Sequence, residues 1–367
     1  MNNTNIKFEK VLIIIPVFNV ELTILATLSS IIHQNYSNYE VIVSENYSTD
    51  RTLEIIEQFS ELIKIIKPPV HLVSEEHGNF CLDYARKRQD IKYLAIYHGD
   101  DLYSPDIVRL QVNYLNRNQC VPAVFSDGLI IDQNDNIIGW VKNKKINQYS
   151  SKYTFEELLF GMISSTVTCL TPTVMLKSSS IKDKQYKFEA EIFGKAADYG
   201  LWLKLAKKYG YLGIIHHEGI RYRRLGNNES TALEKLSTES DVFKTISIYI
   251  GTDKDIQMKG WQWKAHIDRL KVQDYFRRIN SISIEKNDKQ NNIYLKSPKV
   301  GLGYYLISLC SMSGIYYVCV LLISKIIEGG LFSLRLRNIV MSNILNSSTR
   351  NKIRSIRYKI MKVIKRK

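Results

Sequence analysis

The sequence of 367 residues has few of the features that stabilise secreted or zinc-binding proteins. It contains only five cysteines, with no C-x-x-C pair and no cysteine–histidine cluster at zinc spacing. The first ten residues are polar and lack the apolar core of a secretion signal. We therefore expect reduced thiols in a cytosolic protein rather than a disulfide scaffold.

A glycine-rich phosphate-binding loop is also lacking. The first predicted strand, Val11–Ile15, continues as Pro16-Val-Phe-Asn19, which matches neither G-x-G-x-x-G nor G-x-x-x-x-G-K-[ST]. This disfavours dinucleotide oxidoreductases and P-loop enzymes. If a nucleotide diphosphate binds, another group must neutralise its charge, and the usual one is a divalent metal held by carboxylates.

Acidic residues are missing from one end of the chain. The net charge is +15, and residues 329–367 hold eleven Lys or Arg but no Asp or Glu. Such a tail suits anionic lipid or nucleic acid. Nucleic-acid binding would require basic and aromatic residues on the folded body, whereas here the excess charge follows an apolar stretch. We therefore expect an anionic membrane surface as a partner, and no nucleic acid.

The apolar stretch before the tail is Val300–Ser324, which has no charged residue. Its length allows a membrane span, but its serines and glycines equally allow a buried hairpin of two short helices broken near Ser313-Gly314. In residues 350–367, apolar residues at helical spacing alternate with bases, which is typical of a membrane-surface helix. One span at most disfavours a polymerising synthase with a transmembrane channel.

The rest of the chain predicts an α/β fold. Short β-branched runs alternate with helical patterns, which indicates a mostly parallel sheet flanked by helices. The predicted strands are 11–15, 40–43, 70–73, 93–97, 122–132, 137–141, 173–176, 211–216 and 221–223. The main predicted helices are 22–33, 50–65, 79–87, 105–118, 154–162, 198–209, 233–249 and 261–280.

Three polar or loop-forming residues follow predicted strands: Pro16, Glu45 and Asp100. Ligands of open parallel sheets bind at the carboxyl ends of strands, so we expect a site there. Asp100 and Asp101 supply the hard oxygen ligands that suit Mg²⁺ or Mn²⁺. The alternative for this acidic pair is a solvated turn.

Three segments in order resemble glycosyltransferase family 2, which has the GT-A fold. They are Pro16-Val-Phe-Asn19, Ser44-Glu-Asn-Tyr-Ser-Thr-Asp50 and Gly99-Asp-Asp101. Ala196-Ala-Asp-Tyr-Gly-Leu-Trp202 is similar to a later acidic motif of the family, and Arg223 with Arg224 to its Y-R-x-H segment. The resemblance covers residues 10 to 232. The chain departs from the family pattern in having Glu45-Asn46 in the first acidic loop, His98 before Gly99, and Leu225 in place of a histidine.

The resemblance implies a role for each matching residue. Asp198 is the implied catalytic base, although as a helix cap it would need no further role. Asp101 coordinates the metal, and Asp100 contacts the metal or the ribose. Trp202 contacts the acceptor sugar or simply packs in the core. The implied donor-nucleotide residues are Pro16, Phe18, Asn19, Glu45, Asn46, Asn79, Asp100, Arg223 and Arg224, with Asp50 bracing their loop.

The implied protein is an inverting, metal-dependent glycosyltransferase. We expect a UDP-sugar or related donor and a glycan acceptor, carried on lipid, in cell-surface polysaccharide synthesis at the cytoplasmic face of the membrane. The alternative is a non-catalytic sugar-nucleotide-binding module.

The expected domains follow from the same reading. Residues 1–235 form the catalytic domain, with a nucleotide-binding half (1–101) and an acceptor half (102–235). Residues 236–298 form a helical extension and linker, and residues 299–367 form a helical, membrane-associated extension at the C-terminal end.

Overall fold

The computed structural model describes residues 9–145, 148–164, 166–224, 241–252, 267–268 and 271. The chain divides into two units, Met1–Asn228 and Glu229–Lys367. The predicted domain boundary at residue 235, the apolar stretch and the basic tail lie outside the described residues. Within the described part, no helix is long and apolar enough to cross a membrane.

The described strands of the first unit form one ten-stranded sheet. The strands are β1 (Val11–Val17), β2 (Tyr39–Glu45), β3 (Lys64–Ile66), β4 (Tyr93–Ile96), β5 (Leu102–Tyr103), β6 (Ala123–Ile131), β7 (Ile137–Val141), β8 (Ser150–Thr154), β9 (Met175–Lys177) and β10 (Tyr211–Arg223). The helices are α1 (Ile24–Ile31), α2 (Thr52–Glu57), α3 (Ser74–Arg86), α4 (Ile107–Arg117), α5 (Phe155–Ser164), α6 (Ala190–Phe193) and α7 (Ala197–Tyr209). In the second unit the structure describes α8, Asp241–Thr252.

The first four strands are parallel, in the order β3-β2-β1-β4. Residues Val11–Ile15 of β1 are fully buried between β2 and β4. A continuous β-branched run is the pattern of a strand covered on both faces, and the intervening helices make the crossovers that parallel pairing requires. The carboxyl ends of β1, β2 and β4 therefore meet at one edge of the sheet.

The second half of the sheet corrects the expectation of a mostly parallel sheet. β9 runs antiparallel to β4 and β6, β7 is antiparallel to β6, and β5 and β8 are antiparallel to β10. Only β6 and β10 pair in parallel here. At Asp132–Asn136 the chain reverses in a turn, with Asp135 at φ 65°, so β7 returns beside β6 without a crossover helix.

Two element predictions between β2 and β4 were wrong. The predicted helix 50–65 ends at Glu57, because the chain turns and enters β3. The predicted strand 70–73 has no regular structure, since Pro68 and Pro69 remove two backbone donors before it. Instead, His71 Nδ1 and the Leu72 backbone N–H bond the carbonyl and the side-chain oxygen of Asn46, the residue directly after β2.

Candidate active site

The loop between β4 and β5, Tyr97–Asp101, lies at the carboxyl edge of the parallel strands and is called the metal loop below. The carbonyl oxygen of Gly99 accepts hydrogen bonds from the hydroxyls of Thr23 and Thr27, each at 3.0 Å. A Cβ at Gly99 would lie 2.9 Å from Cγ1 of Val17, so only glycine allows this close packing. The loop is thus fixed against β1 and α1.

Asp101 is fully buried within the metal loop. Its Oδ1 accepts the backbone N–H of Arg223 at 2.8 Å, while its Oδ2 is buried and has no hydrogen-bond partner among the described residues. Burial, and then the charge of Asp100, raise the pKa of Asp101 well above its ordinary value. A buried carboxyl oxygen without a protein partner is costly unless a cation neutralises it.

His98, Asp100 and Asp101 each have one possible ligand atom, and these atoms lie within 4.8 Å of one another. An imidazole and two carboxylates form a donor set that suits Mn²⁺, and the carboxylates also suit Mg²⁺. The residues therefore fit a divalent cation. The sequence predicted Asp100 and Asp101 but not His98, whose position directly after the β4 run was the available signal.

Arg223 does not have the exposed guanidinium that a diphosphate contact requires. Its side chain is 4% exposed and forms an ion pair with Asp135. Its Nε donates to the carbonyl of Asp100 at 2.9 Å and its Nη1 to that of Asp132 at 3.2 Å. Arg223 therefore holds the metal loop to the β6–β7 turn, and its contact with the donor stays a prediction. Arg224, the next residue, has an exposed side chain.

Exposed rings lie at the carboxyl ends of β1 and β2. Phe18 is 42% exposed and Tyr47 is 43% exposed, and the Phe18 ring tilts against His71 at 4.6 Å between centroids. Asn19, at φ 51°, accepts the Thr49 amide at 2.8 Å through its Oδ1. Asn19 thus fixes the turn from which Phe18 projects, and the rings offer flat faces to a nucleobase.

Glu45 and Asn46 were expected to reach the base, but both bond their own chain. The Asn46 amide donates to the carbonyl of Leu72 at 2.7 Å and accepts the Leu72 N–H at 2.9 Å. Glu45 is buried, accepts the Ser48 amide at 2.5 Å and pairs with Lys67 at 3.0 Å. Burial pushes the pKa of Glu45 up, but these contacts outweigh it and hold the pKa below its ordinary value. Both residues therefore shape the loop rather than present a free edge.

Two more predicted residues, Asp50 and Pro16, have structural contacts. Asp50 accepts the backbone amides of Glu21 at 3.1 Å and Thr52 at 2.9 Å, so it ties the β1–α1 loop to the start of α2. Pro16 lies in β1 beside Ser44 of β2.

The Asn79 amide pairs in both directions with the backbone of Phe188, each bond being 2.8 Å. This pairing ties α3 to the segment before α6, and the contact of Asn79 with the donor stays a prediction.

Asp198 lies in the first turn of α7, whose N-cap is Ala196, so it is not the cap residue. The side chain is half-buried. Its Oδ2 accepts the Thr171 hydroxyl at 2.6 Å, and its Oδ1 accepts the Tyr199 amide at 2.7 Å. Burial raises the pKa of Asp198 despite these bonds. A carboxylate with a raised pKa is a stronger base.

Trp202 is fully buried, as in the alternative in which it packs in the core. Its ring packs edge-on against Phe125 and Phe188, at 5.2 and 6.0 Å between centroids. Its indole N–H donates to Oγ1 of Thr171 at 3.1 Å. Because an indole N–H can only donate, Thr171 accepts this bond and directs its own hydrogen to Asp198. Trp202 therefore orients the partner of Asp198.

The phenol of Tyr222, on β10, is affected by the charges of the metal loop and of Asp198. Burial and then the charges of Asp101 and Asp100 raise its pKa to about 12, and Asp198 contributes in the same direction. The half-buried phenol thus lies within electrostatic range of the metal loop and of Asp198. Neither Tyr222 nor Thr171 was singled out from the sequence, since their roles depend on contacts distant in sequence.

Comparison with known proteins shows which proteins the chain is similar to. Residues 12–182 match the family model described as glycosyl transferase family 2. A putative glycosyltransferase of Bacillus subtilis, EpsE, is 27% identical over 67% of this chain and 80% of its own length. The Escherichia coli protein WfgD, named a UDP-Glc:alpha-D-GlcNAc-diphosphoundecaprenol beta-1,3-glucosyltransferase, is 27% identical over 53% of this chain and 69% of its own.

A solved structure also resembles the chain. It is residues 1–349 of Staphylococcus aureus TarS in complex with UDP, with a TM-score of 0.53 and 15% identity, and the match covers 94% of this chain and 92% of that solved fragment. At this identity the likeness shows a common fold. The sheet topology and the position of the metal loop at the carboxyl edge are consistent with the family match over residues 12–182.

Proposed function

The chain is a glycosyltransferase with a family 2 domain at residues 12–182, and we propose that it transfers a sugar, with inversion, from a nucleotide-diphosphate sugar to a hydroxyl of a glycan acceptor. The observation that supports this best is the buried Oδ2 of Asp101, which has no partner in the described part of the chain and lies next to Asp100 and His98. A bound Mg²⁺ or Mn²⁺ would stabilise the charge that develops on the departing nucleotide diphosphate.

Asp198 is the proposed catalytic base. It accepts the proton of the acceptor hydroxyl while that oxygen attacks the anomeric carbon, and one direct displacement inverts the anomeric centre. The hydrogen bond from Thr171 favours the ionised carboxylate, while burial makes it more basic. The exposed side chain of Arg224 and the rings of Phe18 and Tyr47 are the proposed contacts of the donor nucleotide.

We further propose a UDP-sugar as donor and a lipid-linked glycan as acceptor, in the synthesis of a cell-surface polysaccharide. Two Escherichia coli relatives support this, since both are named as UDP-glucose-dependent transferases acting on a diphosphoundecaprenol-linked sugar. The basic residues of 329–367 support work at the cytoplasmic face of an anionic membrane.

Calorimetric titration with UDP, dTDP, GDP and CMP, each with and without Mn²⁺, tests the donor site. Wild type is compared with Asp101→Asn, which retains an acceptor for the Arg223 amide but removes the charge. Asp83→Asn, at an exposed carboxylate on α3, is the control. We expect one nucleotide to bind only with Mn²⁺ and only when Asp101 is intact. Unchanged Mn²⁺-dependent binding by Asp101→Asn would contradict the proposed metal site.

The stereochemistry has its own test. Proton NMR of the first product formed should show the anomeric configuration opposite to that of the donor. A product with the donor's own configuration would exclude the single displacement and the role proposed for Asp198.

A further inference from the structure

The β7 patch consists of Ile137, Ile138 and Trp140, which are 58%, 58% and 64% exposed. Among the described strands, β7 pairs only with β6, so its other side is a free edge. The pairing is irregular between Ile130 and Ile131, where Ile138 is the extra residue of the bulge. Neighbouring exposed apolar side chains of this size on a sheet edge mark an interaction surface.

Basic side chains lie on two sides of this patch, and the turn before β7 contains Asp132 and Asp135. Lys142, Lys144 and Lys145 follow β7 directly, and all three are exposed. The ammonium group of Lys142 lies 5.5 Å from the centre of the Trp140 ring. In the sheet, Trp140 lies opposite Leu129, and Leu129 lies opposite the exposed Arg221. The apolar patch therefore has positive charge at the end of its strand and across the sheet.

We propose that the β7 patch inserts into the headgroup region of an anionic lipid bilayer. Tryptophan prefers the membrane–water interface, isoleucine side chains gain by leaving water, and each lysine near the surface adds attraction to anionic lipid. A protein partner is disfavoured by the run of lysines at Lys142, Lys144 and Lys145, because lysine is depleted at the centres of protein interfaces.

The β7 patch is also connected to the metal loop. The turn before β7 contains Asp135, which forms an ion pair with Arg223, and Arg223 donates to the carbonyl of Asp100. A bilayer bound at β7 therefore lies at a fixed position relative to the metal loop. Where this inference uses a lipid-carried acceptor, it rests on the proposed function, since such an acceptor would reach the site from the same bilayer.

The first experiment measures partition of the full-length protein onto vesicles of phosphatidylglycerol and phosphatidylcholine by sedimentation. We compare wild type, the double variant Ile138→Ser/Trp140→Ser, and Leu62→Ser, a control whose side chain is 63% exposed elsewhere. We expect the double variant to lose about tenfold or more in partition, since it exposes less apolar surface, and the control to match wild type. Any contribution of the basic tail is common to all three proteins.

The second measurement locates the patch directly. Brominated lipids quench nearby tryptophans, and of the four in the chain Trp140 is the one on β7. Quenching should fall in Trp140→Tyr relative to wild type. Equal quenching, together with unchanged partition of the double variant, would overturn the proposal.

Two further readouts separate the possible failures. A loss of mass in light scattering of the double variant, with unchanged vesicle partition, would show that a second copy covers the patch and would overturn the lipid assignment. Nucleotide binding by all variants reports the folded donor site. If wild type binds vesicles through β7 but binds no nucleotide, the proposed function fails while the membrane contact stands.

Discussion

Replacing Thr171 by valine removes the hydroxyl that bonds Asp198 but keeps the shape of the side chain. The lost bond is the 2.6 Å contact from Thr171 Oγ1 to Asp198 Oδ2, and Trp202 loses its acceptor as well. The hydroxyl lowers the pKa of Asp198 against the effect of burial. Without it the pKa rises further, so a higher pH is required to ionise the base.

The size of the effect depends on pH. A hydrogen bond to a charged group contributes about 1.5–3 kcal/mol, which corresponds to about 10- to 150-fold in rate. On the acid limb of the kcat/KM profile, where Asp198 is mostly protonated, the activity of Thr171→Val should fall by this full factor relative to wild type. On the high-pH plateau both proteins have an ionised base, so the difference should largely vanish. The acid limb should therefore move to higher pH.

The assay is the pH profile of kcat/KM for wild type, Thr171→Val and the control Thr171→Ser, which retains the hydroxyl. The buried indole N–H of Trp202 also loses its partner in the valine variant, which should cost about 1–3 kcal/mol in the free energy of unfolding. Urea unfolding measures that loss separately. A valine variant with the wild-type acid limb, or with an equal loss at every pH, would refute the role of Thr171.

Two further variants test the contacts around the donor site. Arg223→Lys should weaken Mn²⁺-dependent nucleotide binding by about tenfold or more, as measured by calorimetry. The reason is that an ammonium cannot bond both Asp135 and the Asp100 carbonyl in the fork geometry of a guanidinium. Unchanged binding would contradict this. Asn46→Ala should lower the free energy of unfolding, measured in urea, by about 2 kcal/mol or more, since the Leu72 N–H and carbonyl both lose a partner. A smaller loss of unfolding free energy would show that water replaces the amide.

In the parallel half of the fold, β1, β2 and β4 could be predicted because their signals are local, whereas β3 lies in a segment predicted as helix. The β-branched run of Val11–Ile15 and the run before Asp100 each form a buried strand in the same sheet. The second half could not be predicted as well, since a short strand such as Met175–Lys177 takes its direction from distant partners. Sequence periodicity contains no information about which strands pair.

The candidate site shows the same division. The acidic pair Asp100 and Asp101 could be singled out from the sequence because it comes soon after a predicted strand. The surroundings of Trp202 and Asn46 could not be predicted, because a residue type shows what a side chain can bond, whereas the fold decides which partners it meets. Thr171 was missed for the same reason: its partner Asp198 is 27 residues away, and nothing in the local sequence marks the pair.

The hydrogen bond between Asp101 and the Arg223 amide joins residues that are 122 positions apart. During synthesis, the amino-terminal strands can pair while the rest of the chain is still being made, because their contacts are nearer in sequence. The metal loop cannot acquire its last bonds until β10 has left the ribosome and docked. A nascent chain that stops short of β10 therefore has a nearly complete parallel sheet but an unfinished metal loop, so we expect the proposed nucleotide binding to appear late in the folding of this unit.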